Sequence, residues 1–404
     1  MSTVQHEDAI VNTLLDLVAL PEDEKRVRGL EYTPAEIAQQ PATWKGTLTG
    51  FAQNQPALVA FLENAGIWAP VAERPTVLLT GAGTSDYIGR TLELLLREQW
   101  GCEVFAVPST SLLTSFDAYL VPGRRYLCIS FSRSGDSPEG VSVLEQAIER
   151  HPDMAQLVVT CNAQSRMFAL GSAHPRGFVA VLEDAVNDRS LAMTSSFTNM
   201  VVYGQCLAHA KSLETYQPIL ASMAKAAREF LITASARAQE LAGDDFRRVC
   251  FVGSDAQAAV AREAALKVLE MTSGEIQTMS ETVLGLRHGP MAALNDQTLF
   301  VCFLSSDARK QPYELDLVRE VEAKQITGQT LVVGLEENEH AALDTNAAYL
   351  AIPGQIPDAY RAPVDIIFGQ LLGLFSSIEH GMKPDAPSPQ GVISRVVQDF
   401  RMYR

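Results

Sequence analysis

The chain repeats itself. Three short apolar runs, each ending in small polar residues, lie at VLLTGAGTS (77–85), YLCISFSRSG (126–135) and LVVTCNAQS (157–165). Three more lie at VCFVGSDAQ (249–257), LFVCFLSSDAR (299–309) and LVVGLEENE (331–339). The intervals agree: Gly81 to Ser132 is 51 residues and Gly253 to Ser305 is 52, while Ser132 to Thr160 and Ser305 to Val333 are both 28. Amphipathic segments such as SPEGVSVLEQAIERH (137–151) fill the gaps. Strand, loop and helix in repetition predict an α/β fold of doubly wound parallel sheets, here two similar domains joined by a helical stretch near 215–245. The expected organisation is a helical lead-in over 1–50, broken by Pro34 and Pro41, a first domain over 51–215, a second over 216–380, and a tail over 381–404. That tail is too rich in Pro and Gly to be one more helix, so it should lie extended over the body or a neighbour.

Ligands of open α/β sheets sit beyond the carboxyl ends of the strands. All six loops lie at such ends, but the two copies are unequal. The first carries GAGTS and SFSRSGDS, whereas the second carries GSDAQ and LSSDAR, with no glycine after its serine pair. One complete anion site is expected, in the first domain. The net charge of −16 argues against a general partner for nucleic acid or an anionic membrane. No uninterrupted apolar run reaches the ~18–20 residues a membrane helix needs. The start, MSTVQHEDAIVNTLLDLV, lacks the basic segment of a signal peptide, so a cytoplasmic protein is expected. The six cysteines form no C-x-x-C pair and read as buried, reduced thiols. No His, Cys and carboxylate cluster has metal-ligand spacing, and neither a metal nor an organic cofactor is expected.

Gly81-Ala82-Gly83-Thr84-Ser85 follows a strand and opens a helix. Glycines let the backbone approach a ligand, and free N–H groups at a helix start attract an anion. It is not the dinucleotide fingerprint, since Asp86 stands where a third glycine is required, and alone it also fits a plain tight turn. Ser132-Arg133-Ser134-Gly135-Asp136-Ser137 is more specific. Three hydroxyls within six residues, between strand and helix, suit a phosphate monoester. Ser137 before Pro138 also fits a helix N-cap, which leaves Ser132 and Ser134 unexplained. Arg133 either adds a charge-assisted bond or faces solvent. Thr194 and Ser195, in AMTSSFT, either close the same site or begin an ordinary capped helix.

In the second half, Glu263, Lys267 and Glu270 share one face of a helix at i, i+4 and i+7. Spacing alone reads as a solvated, salt-bridged stripe. His288, held in GLRHGP between glycine and proline, is placed for presentation rather than core packing. The other six histidines have no comparable setting.

Taken together, these residues resemble the sugar isomerase (SIS) domain family, as two tandem SIS domains of flavodoxin-like type from about residue 45 to the end. The motifs that carry the likeness are GAGTS, SFSRSGDS, the LKVLE helix and RHGP. A closer resemblance is to the AgaS group, known as tagatose-6-phosphate ketose/aldose isomerases and galactosamine-6-phosphate deaminases. It rests on LTGAGTS, SFSRSG-x-SPE, TCN, LAMTSSFT, R-x-x-ALKVLE, G-x-RHGP and PDAPSPQG-x-x-SRVVQ. By likeness to the isomerase half of glucosamine-6-phosphate synthase, Glu270 would be the catalytic base, Lys267 the helix lysine and His288 the ring-opening histidine. Two departures stand out: two more residues separate Glu270 from His288, and Arg395 stands where the synthase offers a lysine. The synthase's glutaminase domain is also lacking.

The resemblance implies deamination and isomerisation of galactosamine 6-phosphate to tagatose 6-phosphate and ammonia. The phosphate would rest on Gly83, Thr84, Ser85, Ser132, Arg133, Ser134 and Ser137, with Thr194 and Ser195 nearby. It also implies a homodimer or larger assembly in which His288 reaches a neighbour's site. The alternatives are a ketose/aldose 6-phosphate isomerase, a fructosamine-phosphate deglycase, or a non-catalytic sugar-phosphate sensor. Bacterial regulators with SIS domains carry a basic helix-turn-helix; the first 50 residues here hold only Lys25, Arg26, Arg28 and Lys45.

Overall fold

The computed structural model describes residues 13–342, 344–397, 400, 401 and 403. The repeat is built into two five-stranded parallel sheets. The first contains β1 (Thr76–Thr80), β2 (Val104–Ala106), β3 (Tyr126–Ser132), β4 (Ala155–Thr160) and β5 (Gly177–Val181), in the order β2-β1-β3-β4-β5. The second contains β6 (Arg248–Gly253), β7 (Gln277–Thr282), β8 (Thr298–Phe303), β9 (Gln329–Leu335) and β10 (Ala348–Ile352), in the order β10-β9-β8-β6-β7. Counted within each half, both orders are 2-1-3-4-5, the flavodoxin-like arrangement, whose ligand crevice opens between the first and third strands. Every residue of β1, β3, β4 and β8 is buried, because helices cover both faces of the sheet. That is why these strands read as unbroken apolar runs.

The lead-in holds α1 (Thr13–Val18), α2 (Glu22–Arg28), α3 (Thr33–Ala38) and α4 (Gln40–Ala65). The first half adds α5 (Thr84–Trp100), α6 (Ser109–Ser115), α7 (Pro138–Arg150), α8 (Arg166–Ala173) and α9 (Ser195–Ala208). Then come α10 (Leu213–Ala242), α11 (Ala256–Met271), α12 (Gln311–Lys324) and α13 (Asp358–Glu379). Pro34 and Pro41 break the lead-in as expected, each marking the start of a new helix after an interruption. They stand second in α3 and α4, within the first turn, where a missing N–H costs nothing. The boundaries expected after residues 50 and 215 fall inside α4 and α10, because these long helices are packed against both halves. One apolar cluster runs from Leu14 through Val77, Phe197, Phe230 and Val249 to Phe375, so the halves share a core.

α13 is long and apolar enough, by length and composition, to cross a membrane, yet 89% of its apolar window is buried inside the protein. It packs between α10 and α11 and carries its own buried ion pair, Arg361 Nε to Asp365 Oδ1 at 2.9 Å. All six cysteines are free; five are buried and Cys102 is half-buried. Burial pushes the Cys128 thiol up to about 12.

The tail is extended over the body as expected. Asp385 accepts hydrogen bonds from the Thr33 amide at 2.8 Å and its hydroxyl at 2.7 Å, fastening the tail to the start of α3. Farther on, Arg395 donates from Nε to the Asp188 carbonyl at 2.8 Å and from Nη2 to Asn187 Oδ1 at 2.9 Å. Its own carbonyl accepts from Arg133 Nη2 at 2.5 Å.

Candidate active site

Two polar centres meet at the carboxyl edge of the first sheet. The first is a cleft lined by Ser85 of the β1–α5 junction and by Ser132, Ser134 and Ser137 of the β3–α7 junction, and closed by Arg395, Val396 and Val397 of the tail. Its shape depends on glycine at two places. A Cβ on Gly81 would sit 2.5 Å from the Ser85 carbonyl, and one on Gly135, at φ +64°, would sit 2.2 Å from Ser165 Oγ. The Ser132 and Ser134 hydroxyls are held with their protons available. Ser132 Oγ accepts from the Gly135 amide at 3.0 Å and Ser134 Oγ from the Asp136 amide at 3.2 Å. These bonds use lone pairs and leave the O–H groups free to donate. Ser137 is the N-cap residue of α7, but its hydroxyl makes no capping bond. Ser137→Ala should therefore leave the melting temperature within about 1 °C of the parent, where a working cap would cost ~1 kcal/mol. KM for a phosphorylated sugar should rise about ten-fold, the loss expected for a hydroxyl bonded to a charged group. Thermal unfolding and steady-state kinetics on the same preparation check both.

Side chains, not the backbone, distinguish the second half from the first here. Gly83 (φ 56°, ψ −127°) and Asp255 (φ 51°, ψ −118°) share an unusual conformation at the starts of α5 and α11. A Cβ on Gly253 would clash with the Gln257 carbonyl as one on Gly81 would with that of Ser85. Yet the second loop is already filled. Ser305 donates from its amide (2.8 Å) and hydroxyl (2.9 Å) to Glu314 Oε2, and the Ser306 amide donates to Asp358 Oδ2 at 2.8 Å. Protein carboxylates thus take the donors of the second loop, whereas in the first loop the Ser132 and Ser134 hydroxyls keep their protons free.

The second centre lies on α11, against the start of α5. The stripe expected to be solvated is not: Glu263 and Lys267 are fully buried and Glu270 is 24% exposed. α5 and α13 pack over the helix and convert its charged face into an interior one. Lys267 Nζ lies 2.6 Å from Glu270 Oε2, 3.3 Å from Glu263 Oε1 and 3.0 Å from Thr84 Oγ1. Burial pulls the lysine down, but the two carboxylates outweigh it and raise its pKa. It is held as an ammonium ion. Thr84 gives its single proton to Glu263 Oε1 at 3.2 Å, so its hydroxyl belongs to this centre and has no proton left for an anion. The two centres are joined by consecutive residues: Ser85 faces the cleft and Thr84 faces Lys267.

The remaining expected residues lie elsewhere. Thr194 and Ser195 do not line the cleft. Their amides, with that of Ser196, each donate to the Asp188 carboxylate at 2.9 Å, so this segment is a capped helix start, buried and already bonded. Arg133 is buried, and burial lowers its pKa. It neither faces solvent nor points a free guanidinium at the serines, since it bonds the carbonyls of Ser190, Leu191 and Arg395. Arg395, directed at 187–188, anchors the tail and has no bond to the α11 centre. His288 is exposed, and its ring makes no hydrogen bond or ion pair among the described residues. Arg287, paired with Glu320 at 2.6 Å, braces the loop that carries it.

Sequence reasoning missed three residues of the cleft. Thr80 Oγ1, Ser109 Oγ and Glu139 Oε2 line it and are buried without a partner among the described residues. Such orphans are what a polyhydroxylated ligand satisfies. The signal available was position: Thr80 ends β1, and Glu139 follows the serine loop directly.

No protein-family model matches the chain. It is 32% identical to D-galactosamine-6-phosphate deaminase AgaS of Escherichia coli, over 91% of this chain and 94% of that one. It is 35% identical to a Streptomyces coelicolor protein provisionally given the same name, over 95% and 97%. The solved tagatose-6-phosphate ketose/aldose isomerase of Escherichia coli superposes with a TM-score of 0.80 at 30% identity, covering 90% of this chain and 95% of that one. The C-terminal domain of glucosamine-fructose-6-phosphate aminotransferase from Francisella tularensis shares the fold, with a TM-score of 0.75 at 18% identity over 91% and 100%.

Proposed function

Because the chain belongs to the AgaS family of tandem SIS-domain enzymes, we propose that it converts galactosamine 6-phosphate and water to tagatose 6-phosphate and ammonia. It is an enzyme of the aminosugar-phosphate deaminase/isomerase type, and its substrate is a phosphosugar. The observation that carries the residue roles is the adjacency of the two centres: a cleft of hydroxyls with free protons and a buried lysine–carboxylate cluster, joined through Ser85 and Thr84.

The phosphate rests on Ser85, Ser132, Ser134 and Ser137, fixing the far end of the sugar so that binding energy orients the reacting end. Thr80, Ser109 and Glu139 take up hydroxyls along the chain. With the ring open, Glu270 removes the proton from carbon 2 of the aldose, and the electron pair moves to the carbonyl oxygen through an enolamine. Returning the proton to carbon 1 gives the ketimine. Water adds at carbon 2 and ammonia leaves, so atoms and charge balance without a redox partner. Lys267 holds the Glu270 carboxylate in place and offers positive charge where the enolate forms.

His288 opens the ring, from a second copy of the chain in a homodimer or larger assembly. Its exposure, on a braced loop without an internal partner, supports that reading. An equimolar mixture of Glu270→Gln and His288→Ala proteins, each inactive alone, should recover about a quarter of the parent rate if subunits exchange and sites are shared. No recovery after verified exchange would place His288 in its own subunit's site. The cytoplasm is the proposed compartment, supported by six free cysteines.

The test of the function is ammonia release from galactosamine 6-phosphate, glucosamine 6-phosphate and their N-acetyl forms. Release from the galacto amine alone is expected. Interconversion of neutral ketose and aldose phosphates without ammonia would replace the deaminase by a plain isomerase.

A further inference from the structure

The two carboxylates beside Lys267 are not equivalent. Glu270 is partly exposed, whereas Glu263 has no exposure at all. Glu263 makes its contacts through one oxygen. Oε1 accepts the Thr84 hydroxyl and faces Lys267, while Oε2 is buried with no partner among the described residues. A dry, unpartnered carboxylate oxygen is costly as an anion and far less so as a protonated hydroxyl.

We infer that Glu263 is a positioning residue of the reaction: held as the neutral acid, it fixes the Thr84 hydroxyl and leaves the Lys267 ammonium to Glu270 alone. The inference rests on the reading of Glu270 as the base. Burial pushes Glu263 up to about 8; Lys267 and the Thr84 bond oppose this and Glu270 adds to it. The surroundings supply little else. α5 brings Asp86, Tyr87 and Arg90, with Asp86 already paired to Arg90 at 2.7 Å, and α11 itself brings Arg262. α13 presents Gly369 and Gly373 to this stretch of α11. β6 and β7 beneath it carry Arg248, Cys250 and Glu281, none of them among the largest influences on Glu263.

Ionisation of Glu263 sets a second full anion against Lys267. The ammonium is then shared between two carboxylates, and the centre gains a negative charge where the enolate must form. Turnover therefore falls as pH rises through about 8. Stability carries the same mark. The folded protein keeps a proton that the unfolded chain releases near 4.5, so this contribution is complete below 4.5 and is lost as pH climbs to about 8.

The test compares the full-length parent with Glu263→Gln and Glu263→Ala. Without substrate, the parent's melting temperature should fall relative to that of Glu263→Gln between about pH 5 and 8; parallel curves would overturn the inference. With galactosamine 6-phosphate, Glu263→Gln should lose about five-fold in kcat/KM at pH 6.5 and no longer show the alkaline fall, while Glu263→Ala should lose about 100-fold. An unchanged alkaline fall in Glu263→Gln, or a loss as deep as in Glu263→Ala, would also overturn it. Should the parent release no ammonia from any hexosamine phosphate, the substrate reading fails, and the unfolding curves still decide the state of Glu263.

Discussion

Glu270→Gln should lower kcat by about 10³-fold while leaving the Kd for galactosamine 6-phosphate within about two-fold, the pattern of a lost general base. The geometry makes this a clean substitution. A glutamine at 270 still offers Lys267 Nζ an oxygen at the position where Glu270 Oε2 now lies 2.6 Å away, and the serine cleft is formed by other elements. Only the capacity to take a proton is removed. The direct readout is exchange of the hydrogen at carbon 2 with solvent deuterium, which should disappear along with turnover. Persistent exchange in the variant would assign the base elsewhere. A matched loss of binding would mean that Glu270 holds the substrate rather than reacting with it.

Lys267→Met should be costly in two ways. The methionine keeps most of the apolar stem, so the change deletes a charge from a site with no exposure. Removing one partner from a buried ion pair typically costs about 3–5 kcal/mol, because the remaining charge is stranded. Here Glu270 is the stranded group, and its partial exposure places the cost near the lower end of that range. The rate should fall by about 10²-fold or more, as positive charge is lost beside the developing enolate. The double variant Lys267→Met/Glu263→Gln separates the carboxylates. With Glu263 already neutral, adding Glu263→Gln should restore little stability. With Glu263 ionised, it should recover a large part, since residues in contact couple by about 0.5–3 kcal/mol. Denaturant unfolding of the four proteins closes the cycle.

Much of the fold was legible because central strands of a doubly wound sheet are buried on both faces and leave continuous apolar runs. The six runs at 77–85, 126–135, 157–165, 249–257, 299–309 and 331–339 correspond to β1, β3, β4, β6, β8 and β9. β2, β5, β7 and β10 were not legible. β2 has three residues, and β7, QTMSET, has no fully buried one, so neither leaves an apolar signature. The breaks of the lead-in at Pro34 and Pro41 were legible because a proline in the first turn of a helix also forbids that helix from continuing the one before it. The serine loop could be read from hydroxyl density alone. The α11 stripe could not: spacing reports which residues share a face, not whether another helix covers that face. For Thr194 and Ser195 the sequence left two readings open for a related reason. A run of hydroxyls at a helix start invites a ligand, but Asp188, six residues before Thr194, had already taken the amides.

The filled loop of the second half has a consequence for how the first should be viewed. With Glu314 and Asp358 permanently in place of a bound anion, residues 305–306 are a built-in reference for the loaded state of residues 132–137. The same chain therefore displays one fold unit in its occupied and its waiting form. Their difference marks what a metabolite must supply to the first loop, namely acceptor oxygens for its serine O–H groups, which the second loop draws from its own side chains and no longer needs from solution.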